Sequence, residues 1–117
     1  MNRAYDTFIH RWLRVPYTLN VREYHTPKTP VATIVFIHGL GNSAEAWRDV
    51  AAKLPKNVRV IAIDMLGFGK SPKPKWVTYN IGVQARAVGH TLLGLGLLQR
   101  PIVVGHSMGA LVAIELA

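Results

Sequence analysis

The sequence predicts an α/β fold, a mostly parallel sheet with flanking helices, and three observations carry that expectation. Three short apolar runs rich in β-branched residues, Val31 to Ile37, Val58 to Ile63 and Ile102 to Val104, are spread along the chain. That is how strands covered on both faces read. Between and behind them lie segments whose apolar residues recur at helical spacing. Each apolar run also ends in a glycine-bearing turn. Strand, helix, strand, helix, strand, helix is the order of a parallel sheet with right-handed crossovers. With 117 residues, half of them hydrophobic, the chain is at most one globular domain with a modest core.

Taken in order, Phe8, Ile9, Trp12 and Leu13 recur at helical spacing with Arg3, Arg11 and Arg14 among them. A short helix or strand packed onto the domain is the preferred reading, ahead of a helix lying on a membrane surface. Met1 to Pro16 lacks the continuous apolar core of a signal peptide, and no apolar run is long enough to span a bilayer. Tyr17 to Tyr24 alternates, with Tyr17, Leu19 and Val21 on one side, as in a half-buried antiparallel strand. His25 to Pro30 is a turn, and Val31 to Ile37 the first buried strand. A helix is expected to open at Asn42 as cap, with Glu45 reaching back to it, and to bury Trp47, Val50, Ala51 and Leu54 before Pro55 closes it. Val58 to Ile63 is the second buried strand, ending at Asp64, and Met65 to Lys75 a glycine- and proline-rich loop. From about Ile81 a helix presents Ile81, Ala85, Val88, Leu92 and Leu95, although its four glycines leave packing to hold it together. Ile102 to Val104 is the third buried strand, followed by an apolar helix to Ala117.

Lys and Arg outnumber Asp and Glu by 14 to 6, a net charge of +8. The basic residues are scattered from Arg3 to Arg100, and the densest group (Lys70, Lys73, Lys75) is interleaved with prolines. That is the pattern of a solvated loop, so nucleic-acid binding is not expected. The absence of cysteine excludes disulfides and thiolate metal sites and favours a reducing, cytoplasmic setting.

The glycine turns carry the chemistry. Gly105-His106-Ser107-Met108-Gly109 reads G-x-S-x-G between a strand and a helix, the context in which a sharp turn holds a serine in a strained conformation with Oγ exposed. The first turn has a rival reading. Gly39-Leu40-Gly41-Asn42-Ser43-Ala44 fits the dinucleotide fingerprint G-x-G-x-x-A, with Asp64 at the end of the next strand for a ribose hydroxyl. The tail of the second turn, Gly69-Lys70-Ser71, suggests a P-loop, but that spacing needs a glycine where Asp64 stands.

His38-Gly39-Leu40-Gly41, then Asp64-x-x-Gly67-x-Gly69-x-Ser71, then Gly105-His106-Ser107-Met108-Gly109 together resemble the α/β-hydrolase superfamily in order and spacing, from roughly Tyr17 to Ala117. The resemblance accounts for all three turns, the dinucleotide reading for one. It implies that Ser107 is the nucleophile and forms an acyl-enzyme on a small-molecule acyl substrate, with no cofactor. It places the oxyanion between the backbone N–H groups of Leu40 and Met108, and makes His38, Gly39, Asp64, Gly67, Gly69, Gly105 and Gly109 structural. By the same resemblance, His38 is expected to brace the oxyanion loop and His106 to point away beside the nucleophile. Relatives that open epoxides or displace halide carry a carboxylate at the elbow, so a serine implies acyl chemistry such as ester, thioester or amide hydrolysis. In the superfamily the triad runs Ser, then Asp or Glu, then His. Only Glu115 is acidic among the ten residues after Ser107, and no histidine follows. Residues 1–117 are therefore expected to be the N-terminal portion of a longer hydrolase, with Ile102 to Val104 left at a sheet edge, inactive and poorly folded alone. A non-catalytic ligand-binding member of the same fold is the alternative.

Overall fold

The computed structural model describes residues 3–97 and 99–117. Four strands, β1 (Val21–His25), β2 (Ala32–Ile37), β3 (Val58–Ile63) and β4 (Ile102–Gly105), form one sheet in the order β1-β3-β2-β4. β2 runs parallel to both β3 and β4, and β1 closes the far side antiparallel to β3. In register, Ile37 of β2 lies opposite Ile63 of β3 and opposite Gly105 of β4. The three parallel strands thus end level, and the turns after them emerge on one rim of the sheet, where open α/β sheets bind ligands.

Alternation along β2 and β3 splits the core into two layers. Val35, Ile37, Ile61 and Ile63 point to one face and pack with Ala85, Ala87 and Val88 of α3 (Ile81–Gly94) and Val112 of α4 (Met108–Leu116). Phe36, Val60 and Ala62 point to the other and pack with Ala44, Ala51 and the partly buried Trp47 and Leu54. Each fully buried Val, Ile or Leu contributes about 1.5–3 kcal/mol, so these two layers hold the sheet.

Tyr17 and Leu19 are buried as the alternation predicts, but the hydrogen-bonded ladder begins only at Val21. The helix after the first turn differs from expectation. Ser43, not Asn42, is its cap, accepting from the Glu45 N–H at 3.3 Å, while the Asn42 side chain accepts from the Ser43 N–H. Glu45 does not reach back; it pairs with Arg22 and Arg48. The helix starts as a 3₁₀ turn (Ala44–Trp47) before continuing as α2 (Arg48–Ala52). The change of pitch rotates Val50 off the expected apolar face, and it is exposed. α3 agrees with its predicted start, with Asn80 as cap through its Oδ1 and the Val83 N–H (2.8 Å). β4 lies at the sheet edge with a single neighbour, β2, as expected for the third run within residues 1–117, and Ile102 is exposed.

The N-terminal segment is helical as expected, an α-helical turn α1 (Arg3–Thr7) continuing as a π-helix over Phe8–Trp12. It packs on the domain, but not through its apolar stripe: Phe8, Trp12 and Leu13 are exposed. No helix of the described residues is long and apolar enough to cross a membrane.

Candidate active site

The turn between β4 and α4 is built by contacts that only glycine permits. A Cβ on Gly105 would lie 2.2 Å from the Gly109 carbonyl oxygen, and one on Gly109 would lie 2.3 Å from that of Ile37. Real Cβ atoms do not approach backbone so closely, so both positions must be bare. The chain reverses within this space. His106 N–H donates to the Ile37 carbonyl (3.1 Å), and Gly109 N–H donates to that of His106 (2.9 Å). Between them Ser107 takes φ 57° and ψ −118°, a left-handed conformation that costs a non-glycine residue about 1–3 kcal/mol. Among the described residues only Arg14 shares a positive φ without being glycine. Ser107 is exposed at the N-terminus of α4, where the helix dipole favours negative charge.

The turn after β2 lies against this elbow. A Cβ on Gly39 would stand 3.4 Å from the Ser107 Cβ and 3.3 Å from His106 Nδ1, so the Gly39 backbone touches the serine turn and the His106 ring lies over it. His38 fastens this turn from below and is buried. Its Nε2 accepts from the Met65 N–H (2.9 Å), which leaves Nδ1 to donate to the Gly39 carbonyl (2.7 Å). Both ring nitrogens are thereby committed to backbone. Leu40, next in the chain, is exposed. The amides of Leu40 and Met108 therefore belong to two turns that meet at Ser107.

The turn after β3 is of a different kind. Asp64 is buried, and its carboxylate accepts from the Ala44 N–H (2.7 Å), the Asn20 amide (2.8 Å) and the Lys70 N–H (3.1 Å). Burial pushes its pKa up, but the donors of Ala44, Lys70 and Asn20, with His38 nearby, outweigh that and hold it below the usual aspartate value. Ser71 Oγ donates to the Asp64 carbonyl and accepts from the Asn20 N–H. In the dinucleotide reading Asp64 stands free for a ribose. Here both its oxygens are taken, one of them by Ala44 of the very turn that reading invokes.

The alpha/beta hydrolase fold model matches residues 32–117. The chain belongs to the α/β-hydrolase fold family. It is 37% identical over 98 residues to the probable lysophospholipase BODYGUARD 4 of Arabidopsis thaliana, a match covering 82% of this chain and 23% of that protein. Among solved structures it resembles a bacterial membrane phospholipase A, described as a virulence factor (TM-score 0.76, 30% identity, 97% of this chain and 38% of the other). It also resembles E-2-(acetamidomethylene)succinate hydrolase (TM-score 0.74, 28% identity, 84% of this chain and 34% of the other). The chain spans about a quarter of the length of the first curated relatives it matches.

In α/β-hydrolase terms the Ser107 turn has the conformation of a nucleophile elbow, with the turn after β2 beside it. No side chain among the described residues hydrogen-bonds the Ser107 hydroxyl, and none forms a cluster of three or more metal-ligating groups. Two further residues that fix this rim belong to no motif of the sequence. Gln84 of α3 is fully buried; its Oε1 accepts from the Leu66 N–H (2.9 Å) and its Nε2 donates to the Leu66 carbonyl (2.8 Å). Thr91 accepts from the Leu19 N–H (2.9 Å) and donates to the Ala87 carbonyl (2.7 Å). A signal was available: a glutamine beside Ala85, on the inward face of the helix with Val88, needs a buried partner.

Proposed function

We propose that the protein is a serine-dependent hydrolase of acyl bonds, with Ser107 as nucleophile. The observation that carries this is a non-glycine residue held at φ 57° on an exposed strand-to-helix turn with the Gly39 turn against it. Strain of this kind persists only where the surrounding structure imposes it. Here it presents a hydroxyl at the mouth of the sheet rim. Ser107 Oγ attacks the acyl carbon, the alcohol or amine leaves, and water then cleaves the acyl-enzyme. The amides of Leu40 and Met108 receive the developing oxyanion, Met108 from the first turn of α4, where N–H groups lack intrahelical partners.

The proton of Ser107 needs a base. His38, beneath the Gly39 turn, is committed on both ring nitrogens and is not free to take it. We infer that the base is a histidine following Ala117, in the family's order of nucleophile, acid and histidine. The phospholipase and lysophospholipase relatives support a carboxylic ester as the bond cleaved. A fluorophosphonate probe tests the reading on the protein purified as its gene encodes it. The probe is expected to modify Ser107, located by peptide mass spectrometry, and to leave Ser107→Ala unmodified. Modification elsewhere, or equal modification of the variant, overturns the assignment.

A further inference from the structure

The N-terminal segment is oriented the wrong way round for a packing helix. None of its residues from Arg3 to Trp12 is buried. Polar and ring contacts attach it to the domain: the His10 ring stacks on Tyr17 at 3.6 Å, the Tyr17 hydroxyl donates to Asp6 (2.8 Å), and the Arg11 guanidinium lies 5.9 Å from the centre of Trp76. The stripe that would ordinarily supply the packing faces outward. Tyr5, Phe8, Trp12 and Leu13 are all exposed, Trp12 at 71%, and Val15 extends the patch.

The charges around this patch are of one sign. Arg3, Arg11 and Arg14 are exposed along the segment, and Arg86 of α3 reaches across to the Arg14 carbonyl (3.5 Å). The ion pairs among the described residues use His10, Arg22, Arg48 and Arg59, so none of these four arginines is matched by a carboxylate. Asp6, the acid of the segment, is turned inward to Tyr17 and His10. Arg11, Arg14 and Arg86 also rim a cleft of about 260 Å³ floored by Leu66, Val83 and Ala87.

We propose that this segment is a peripheral docking surface for an anionic lipid bilayer. Exposed aromatic and aliphatic side chains ringed by unpaired arginines are the composition of helices that lie in the headgroup layer, with Trp and Tyr at the boundary. Phe8, Trp12 and Leu13 enter the outer acyl region, Arg3 meets lipid phosphates, and the cleft between Arg11, Arg14 and Arg86 takes one headgroup phosphate over its apolar floor. Each arginine near an anionic surface contributes about 1 kcal/mol, or roughly fivefold in partitioning. The inference is independent of the chemistry at Ser107, and binding rather than turnover reads it.

The test is flotation of the protein, purified as its gene encodes it, with vesicles of phosphatidylcholine alone or mixed with phosphatidylglycerol. At least ~10-fold stronger partitioning to the mixed vesicles is expected, declining with salt. Arg11→Gln with Arg14→Gln should weaken it by about 25-fold, while Arg11→Lys with Arg14→Lys retains it. Phe8→Ser with Trp12→Ser should abolish it, and circular dichroism of each variant verifies the fold. The difference in emission between wild type and Trp12→Phe should shift to the blue on binding. Absence of partitioning, equal partitioning to both vesicles, or indifference to the glutamine pair overturns the proposal and leaves the stripe to a protein surface. So does equal loss in the lysine pair. Release by inorganic phosphate at constant ionic strength overturns it too, reassigning the cleft to a free anion.

Discussion

Two turns on the same rim of the sheet make the same demand on the backbone and answer it differently. After β3, positive φ falls at Gly67 (88°) and Gly69 (54°), where glycine pays no steric penalty. After β4, the positive φ of 57° falls on Ser107, with glycines two residues to either side. The first turn is saturated with hydrogen bonds around Asp64, Ser71 and Gln84. The second leaves its serine hydroxyl unbonded by any described side chain and open to solvent. Glycine-rich punctuation alone therefore does not tell the two turns apart. What distinguishes the two is where strain is tolerated and where polar groups are left unsatisfied.

The largest expected effect lies at that strained residue. Ser107→Ala should lower kcat for ester cleavage by about 10⁶, the scale of losing a triad nucleophile. Ser107→Gly should be equally inactive yet more stable than wild type by roughly 1 kcal/mol, because it removes the strain at φ 57°. Kinetics and thermal melts of the two variants together check this. A glycine variant less stable than wild type would mean that the elbow is not strained.

Next in size is Gly109→Ala. Its Cβ would overlap the Ile37 and His38 carbonyl oxygens, at 2.3 and 2.6 Å, and backbone cannot yield as a flexible side chain can. A loss of about 3–5 kcal/mol is expected, in the tail of single-substitution effects. Gly41→Ala meets nothing within 4 Å, so its cost should come from φ 76° alone, about 1–2 kcal/mol. Denaturant titration that ranks the two in the opposite order would contradict the close packing of β2 against α4.

The saturated turn is sensitive to pH instead. Because the Asp64 pKa is lower folded than unfolded, the unfolded state takes up its proton first as pH falls. The stabilisation is present in full above the usual aspartate value near ~3.9 and is lost as pH drops through the folded value. Asp64→Asn should weaken the protein by about 1–3 kcal/mol at neutral pH, since it loses charge-assisted bonds and places an amide donor where N–H groups already point. It should also flatten the acid limb of stability against pH. An unchanged acid limb in Asp64→Asn would assign the pH dependence to another carboxylate.

How much of this was legible in the sequence follows from the same contrast. Period and β-branching marked β2 and β3 closely, because burial on two faces leaves a continuous apolar run: Val58 to Ile63 coincides with its strand. The run Ile102 to Val104 looks alike whether a strand has one neighbour or two, so the place of β4 at the sheet edge followed from the family resemblance and not from the run itself. The motif spacing picked out Ser107 and Gly39, whose turns lie against each other, and the buried Asp64, because few residues satisfy the backbone geometry of these turns. It did not reveal Gln84 or Thr91, whose partners Leu66 and Leu19 lie 18 and 72 residues away. Nor could helical spacing show which way the N-terminal stripe would face. Apolar periodicity predicts a face and not its occupant, and at Phe8 and Trp12 the packing expected by default did not form.

The smallest expected effect is at Thr91, and it tests whether such distant polar contacts matter. Thr91 Oγ1 accepts from the Leu19 N–H just ahead of β1, where the backbone has no ladder partner of its own, and donates to the Ala87 carbonyl one turn back in α3. Thr91→Val keeps the shape and removes both bonds. The Ala87 carbonyl retains its place in the helix, but the buried Leu19 N–H loses its acceptor, an unpaired donor that costs about 1–3 kcal/mol. Extra apolar burial by valine offsets part of this, leaving about 1 kcal/mol net. Hydrogen exchange at the Leu19 amide separates this local event from global loss. It should accelerate in Thr91→Val by more than the change in overall stability explains, and Thr91→Ser, which keeps the hydroxyl, should restore it. Equal acceleration in both variants would mean that the methyl group, not the hydrogen bond, anchors the chain as it enters β1.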